Sequence, residues 1–210
     1  MINIQPLTPD TIAEAVERIK AGELIVFPTD TVYGMAAWPF ESAPLQRLYE
    51  AKQRPRDLAL PVLIANVRRT SLVSPFWSEA FGRLAKHFWP GALTIVIPKL
   101  PTLPPELSPY PTVGVRVPDH DGALDLLEAA GGALATTSAN LSGEPPAVTA
   151  EAAAEMIGDH AALILDGGES PGGTPSTVVE LRGNEIVVLR EGDLSAWEIR
   201  RTIRQTGTLP

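Results

Sequence analysis

Two short cationic runs stand out in a chain whose formal net charge is −8. Lys52-Gln53-Arg54-Pro55-Arg56 places three basic residues in five, and Val113-Gly114-Val115-Arg116-Val117-Pro118 sets one arginine among valines. Cations gathered against such a background can clamp phosphate or carboxylate, arginine through its bidentate fork. The first run follows an apolar-periodic segment, so its charges can equally offset a helix dipole. In the second, the valines line one face of a strand and leave Gly114 and Arg116 on the other. A glycine beside an arginine leaves room for a ligand to reach the guanidinium. A partly buried arginine in turn needs an anionic partner, either a structural carboxylate or a substrate anion. Arg190 ends a strand-like stretch in a similar way, before Glu191-Gly192.

Hydroxyl-rich runs accompany the cations. Phe27-Pro28-Thr29-Asp30-Thr31-Val32-Tyr33-Gly34 follows a short apolar stretch. If extended, it puts Thr29, Thr31 and Tyr33 on one face and Asp30 and Val32 on the other. Such hydroxyls can hold a carboxylate or amine, or they can brace a turn through side-chain-to-backbone bonds. Thr136-Thr137-Ser138-Ala139-Asn140-Leu141-Ser142-Gly143 can cradle phosphate or ribose, or form a plain loop. Trp89-Pro90-Gly91-Ala92-Leu93-Thr94 and Ser176-Thr177-Val178-Val179 are shorter signals of the same kind.

Other chemistries lack their residues. With no cysteine, disulfides, thiolate nucleophiles and Cys-ligated metals are excluded. His87, His120 and His160 lie far apart without ligand spacing, so they read as surface or helix-end residues and no protein-held metal is expected. No Walker A loop, dinucleotide glycine fingerprint, HExxH or GxSxG occurs. The acidic balance argues against nucleic-acid binding by bulk charge. The N-terminus shows no apolar h-region and no run has membrane-spanning length, so the expectation is a cytoplasmic protein with no membrane partner. The sequon at Asn140-Leu141-Ser142 is then idle.

These groups must be positioned by alternating elements. Helical spacing predicts a helix over 10–20, capped by Thr8 or Asp10, with Ile12, Ala15, Val16 and Ile19 inward and Gly22 at its end. Further helices are predicted over 42–51, 78–88, 121–130 and 149–157. A final one is capped by Ser195, with Glu198 completing a capping box. Strands are predicted over 24–27, 60–65, 93–97, 112–117, 134–136, 162–165, 176–181 and 185–190, Asn184 after Gly183 turning the last hairpin. The 21 prolines and 17 glycines fall singly between apolar runs, as turns rather than linkers. The pattern predicts one α/β domain over 1–210 with a mixed sheet.

Taken in order, the runs resemble the YrdC/TsaC family of threonylcarbamoyl-AMP synthases in its short single-domain form. The matching segments are 28–34, 52–55, 90–94, 114–118, 137–143, 176–179 and 190–192, spread over nearly the whole chain. The resemblance implies a twisted open α/β sheet with a large concave basic cavity. It implies an enzyme that binds L-threonine, bicarbonate and ATP with Mg²⁺. Threonine is carboxylated on its amine, and the carbamate attacks the α-phosphorus with release of pyrophosphate. The product serves tRNA modification, with tRNA or other tRNA-modification proteins as further partners. By position, Thr31, Arg116, Thr136 and Ser176 would contact threonine. Lys52, Arg54, Thr94, Ser138, Asn140 and Arg190 would contact the nucleotide, Lys52 and Arg54 as the catalytic pair.

The chain departs from the family's KxRPxxNPL pattern, since Leu58 stands at the asparagine and Leu63 where a histidine often follows. Two other readings fit the resemblance: a module binding double-stranded RNA on its concave face, and a paralogue forming carbamoyl-adenylate for another acceptor.

Overall fold

The computed structural model describes residues 3–183 and 185–204. Along the chain run β1 (Ile4–Pro6), α1 (Pro9–Lys20), β2 (Ile25–Phe27), β3 (Gly34–Ala37), α2 (Ser42–Lys52) and β4 (Val62–Ile64). Then come α3 (Glu79–Phe88), β5 (Leu93–Pro98), β6 (Thr112–Arg116), α4 (Asp121–Ala129) and β7 (Ala133–Ser138). The last elements are α5 (Ala150–Ile157), β8 (Leu163–Asp166), β9 (Thr177–Arg182), β10 (Glu185–Arg190) and α6 (Ala196–Arg204). The strands form one twisted open sheet in the order β1-β8-β2-β3-β7-β4-β6-β5-β9-β10. Parallel and antiparallel pairs mix, β4 with β6 being parallel and β5 with β6 antiparallel.

Local chemistry accounts for the helix boundaries. Thr8 caps α1 in a capping box whose second partner is Thr11, with Pro9 in the first turn, and Gly22 follows its end at φ +82°. Ser78, Thr149 and the His120 ring nitrogen cap α3, α5 and α4, and Ser195 exchanges bonds with Glu198 ahead of α6. Asn184, expected at the last hairpin turn, lies outside the described residues. Two strands were not anticipated. β1 is short and ends in proline; β3, Gly-Met-Ala-Ala, is buried throughout and so shows no polar alternation.

The sheet carries two cores of different extent. On one face α2, α3, α5 and α6 pack over strands running from β8 to β9, joining Leu45, Phe81, Ile157 and Ile199 to Val26, Val62, Ile95, Val115 and Val179. On the other face only α1 and α4 pack, and their core ends at Leu63 of β4. Beyond β4, among the described residues, that second face has no helix packed on it. There the strands keep their alternation: Leu93, Ile95 and Ile97 of β5 enter the first core, while Thr94 and Val96 face the open side. β6 does the same with Val113 and Val115 against Gly114 and Arg116. Among the described residues no helix is long and apolar enough to cross a membrane.

The α1/α4 core should therefore tolerate little. Leu127→Ala, at a side chain with no exposure, should cost about 2–5 kcal/mol. A urea titration checks this as a lower midpoint at unchanged slope.

Candidate active site

The uncovered half-face is concave and holds a cavity of about 420 Å³, within the range of small-molecule sites. Thr31, Arg54, Thr94, Arg116, Thr136, Ser138, Ser176 and Arg190 all line it. They come from seven separated segments, which the strand order β3-β7-β4-β6-β5-β9-β10 brings side by side. Gly34 and Gly114 allow that closeness. A Cβ on Gly34 would lie 2.8 Å from the Thr136 methyl, and one on Gly114 would lie 3.0 Å from the Thr94 methyl.

The segment before β3 is a turn rather than an extended strand. The Thr29 hydroxyl accepts from the backbone N–H groups of Thr31 (3.2 Å) and Val32 (3.3 Å) and donates to the Val32 carbonyl (2.7 Å). Asp30 and Thr31 therefore both reach Arg116, which simple alternation does not allow. Tyr33 turns away to donate to the Gly168 carbonyl at 2.6 Å. Burial pushes its phenol up to about 12.

Arg116 is anchored at each of its nitrogens. Nε donates to the Gly91 carbonyl at 2.9 Å, Nη1 to the Thr31 hydroxyl at 3.0 Å, and Nη2 to the Asp30 carboxylate. A guanidinium has five N–H donors, so two remain for a ligand. On the far side, the Thr94 and Ser176 hydroxyls bond each other at 2.8 Å, and Arg190 Nη2 donates to the Ser176 carbonyl at 2.7 Å. Arg54 is held by the carbonyls of Leu58 (3.1 Å) and Ala59 (3.0 Å). Burial lowers the Arg190 pKa, with repulsion from Arg54 and Arg116 adding to it; burial also lowers that of Arg54. Three guanidinium groups thus share one cavity, and Asp57 is the one acidic residue lining it among the described residues.

Lys52 and Asn140 are the exceptions. Neither lines the cavity. Lys52 is 2% exposed, and its ammonium donates to the Ser138 carbonyl (2.5 Å) and hydroxyl (3.3 Å) and to the Asn140 carbonyl (2.8 Å) and amide oxygen (3.1 Å). The Asn140 amide nitrogen is spent on the carbonyls of Leu141 and Glu144. The structure places both, expected among the nucleotide-contacting residues, behind the cavity rather than on its lining. Lys52 lies on the buried stripe of α2 with Leu45, Leu48 and Tyr49, and three donors facing four oxygens leave none for a phosphate. Gln53, left-handed at φ 50°, then reverses the chain and delivers Arg54 to the cavity instead. Burial, with repulsion from Arg54, brings the Lys52 pKa down to about 8.

Other lining groups gave little sequence signal. Tyr110 and Leu189 are exposed at the rim, with Leu58 beside them. Leu63 is paired in register with Arg116 and puts an apolar wall beside it. Asp30 was visible in the run but carried no sign that Arg116 was its partner.

The Sua5/YciO/YrdC family model, described as telomere recombination, matches residues 17–192. The chain belongs to this family. A Mycobacterium tuberculosis protein is 40% identical over 193 residues, covering 91% of this chain and 88% of its own. The threonylcarbamoyl-AMP synthase of Pyrococcus abyssi is 39% identical over 186 residues, covering 88% of this chain and 55% of its own. The crystal structure of P. abyssi Sua5 complexed with L-threonine superposes with a TM-score of 0.90 at 37% identity, over 96% of this chain and 60% of that one. The chain thus spans little more than half of the archaeal protein.

The geometry separates two substitutions that the sequence alone would treat alike. Lys52→Met strands buried oxygens, each costing about 1–3 kcal/mol, and should lower both the melting temperature and turnover. Arg54→Met removes a cavity cation and should lower turnover with the melting temperature nearly unchanged. Thermal melts beside turnover assays check the pair; equal melting losses in both would contradict the placement of Lys52 behind the cavity.

Proposed function

We propose that this protein is an L-threonylcarbamoyladenylate synthase: L-threonine, bicarbonate and ATP give threonylcarbamoyl-AMP and pyrophosphate, for threonylcarbamoyladenosine modification of tRNA. The observation that carries the reading is the convergence of Arg54, Arg116 and Arg190 with the hydroxyls of Thr31, Thr94, Thr136, Ser138 and Ser176 in one cavity of a Sua5/YciO/YrdC chain. Thr31, Arg116, Thr136 and Ser176 take threonine; Arg54, Thr94, Ser138 and Arg190 take the nucleotide. Lys52 and Asn140 support this set from behind.

The reaction gathers a carboxylate, a carbamate and a triphosphate, so its site needs cations and neutral donors. The amine nitrogen bonds to the carbon of bicarbonate with loss of water and a proton. A carbamate oxygen then bonds to the α-phosphorus as the bond to the β-phosphate oxygen breaks, and pyrophosphate leaves with the electron pair. The substrate supplies the nucleophile, so no serine, cysteine or histidine of the protein is required. Catalysis comes from holding the two reactants in line and from guanidinium donors already aimed at the phosphoryl oxygens.

Mg²⁺ fits this site as a companion of the triphosphate. Among the described residues no group of three or more His, Asp or Glu side chains is placed to hold a metal. Mg²⁺ binds through substrate phosphates, water and one or two carboxylates, and Asp57 is the carboxylate at hand. The ion would neutralise charge on the phosphates while Arg54 and Arg190 hold them. Handover of the adenylate to tRNA or to other tRNA-modification proteins belongs to the same proposal.

Pyrophosphate release, followed with each amino acid under saturating ATP and bicarbonate, tests the function. Threonine should support turnover, serine weakly and valine hardly at all. A site that hydrogen-bonds the substrate hydroxyl rejects an analogue lacking it by about 10⁴ or more. Release that is independent of bicarbonate overturns the carbamate step. Release that needs carbamoyl phosphate in place of threonine favours the carbamoyl-adenylate reading.

A further inference from the structure

The three arginines of the cavity differ in what balances them. Arg116 is ion-paired with Asp30, and the two side chains are only 7% and 14% exposed. Among the described residues neither Arg54 nor Arg190 makes an ion pair. Their donors go to neutral oxygens of Leu58, Ala59 and Ser176. One end of the cavity is therefore net positive. At the other end Arg116 lines the cavity with the Asp30 carboxylate paired behind it, so that end presents a dipole with little net charge.

The Asp30 carboxylate is held in place by more than its partner. Thr29 braces the turn that carries it. Gly173 donates its backbone N–H to the Thr31 carbonyl at 2.8 Å, and a Cβ on Gly172 would lie 2.8 Å from the Asp30 carbonyl. The backbone of the turn is thus closed in from both sides, and the Asp30 carboxylate leaves this fixed turn directly beside Arg116. Its Oδ1 takes one Nη2 proton, while Thr31 and Gly91 take one each from Nη1 and Nε. The two N–H groups that remain are fixed in direction by these three bonds.

We infer that Asp30 is a positioning residue that makes the Arg116 end of the cavity select a zwitterion over a simple anion. Threonine and the triphosphate then sort to opposite ends of one site. Without a carboxylate beside it, Arg116 would be a third guanidinium open to phosphate, and triphosphate or released pyrophosphate would compete there. With Asp30 present, a polyanion meets repulsion at that end. An amino acid sets its carboxylate on the guanidinium and its ammonium in the field of the aspartate. This inference rests on the threonine-binding reading proposed above.

Asp30→Asn, which keeps the shape and removes the charge, tests it in the pyrophosphate-release assay. KM for threonine should rise about tenfold or more, as for the loss of one partner of a buried charge pair, with KM for ATP moving less than about twofold. Pyrophosphate should also become a stronger competitor against threonine. A second arm uses the unaltered protein, with 2,3-dihydroxybutyrate, in which a hydroxyl replaces the ammonium, as competitor. It should bind at least about tenfold more weakly than threonine. Equal shifts of both KM values, an unmoved threonine KM, or a hydroxy acid that binds as tightly as threonine would each overturn the inference. If Asp30→Asn does not fold, the hydroxy-acid arm decides alone. Absence of threonine-dependent release by the unaltered protein would instead overturn the functional reading itself.

Discussion

A β-strand sends neighbouring side chains to opposite faces of its sheet, and in β5, β6 and β9 only one of those faces is roofed by helices. The covered face takes Leu93, Ile95, Val113, Val115 and Val179; the other is left to Thr94, Gly114, Arg116 and Val178. Residues at every second position can then be chosen for chemistry while their neighbours hold the fold. The cavity is possible because α1 and α4 stop at β4 and do not continue across the sheet. Leu63 marks the boundary, packed into the α1/α4 core and also forming the wall beside Arg116. A wall that belongs to a rigid core gives the guanidinium a fixed neighbour.

Lys52 extends the same logic behind the surface. An ammonium buried at the end of α2 is costly unless its protons are shared with oxygens. Here Ser138 and Asn140 supply them, and the Ser142 N–H returns to the Lys52 carbonyl at 3.1 Å. The end of a helix and the loop after β7 are thereby bound into one unit. The Ser138 hydroxyl reaches the cavity from that unit, so its direction is set by the buried Lys52 ammonium. A buried lysine facing only neutral oxygens also adds positive potential to the cavity without occupying space in it.

Much of this architecture could be read from the sequence because local signals agreed with the tertiary result. Helices announced themselves through caps such as Thr8, Ser78, Thr149 and Ser195, and β6 through its alternation of valine with glycine and arginine. β3 escaped because a strand buried on both faces needs no polar partner at every second place. The turn at Thr29–Val32 escaped for another reason. Its shape is set by the Thr29 hydroxyl bonding its own backbone, an option that alternation rules do not consider. Lys52 and Arg54 could have been separated: Lys52 falls at i+7 from Leu45 on the apolar stripe of α2, and Arg54 falls past the helix end. The Asp30–Arg116 pair spans distant parts of the chain, and no local pattern foretells it.

Burial and mutual repulsion of the cavity arginines bear on how such a site binds. Arg190 is depressed by burial and by its fellow cations, and Arg54 by burial, so both charges sit in an unfavourable field. Both groups stay protonated all the same, because arginine does not release its proton in proteins. The unfavourable energy is therefore present before any ligand arrives. On the proposed function, a triphosphate between Arg54 and Arg190 would remove it by placing negative charge where the cations repel one another. The donors need not reorganise to do so, since Ser176, Leu58 and Ala59 already hold them. A site built this way attracts anions through the same repulsion that burdens its fold, and the stability that the cations cost is returned on binding.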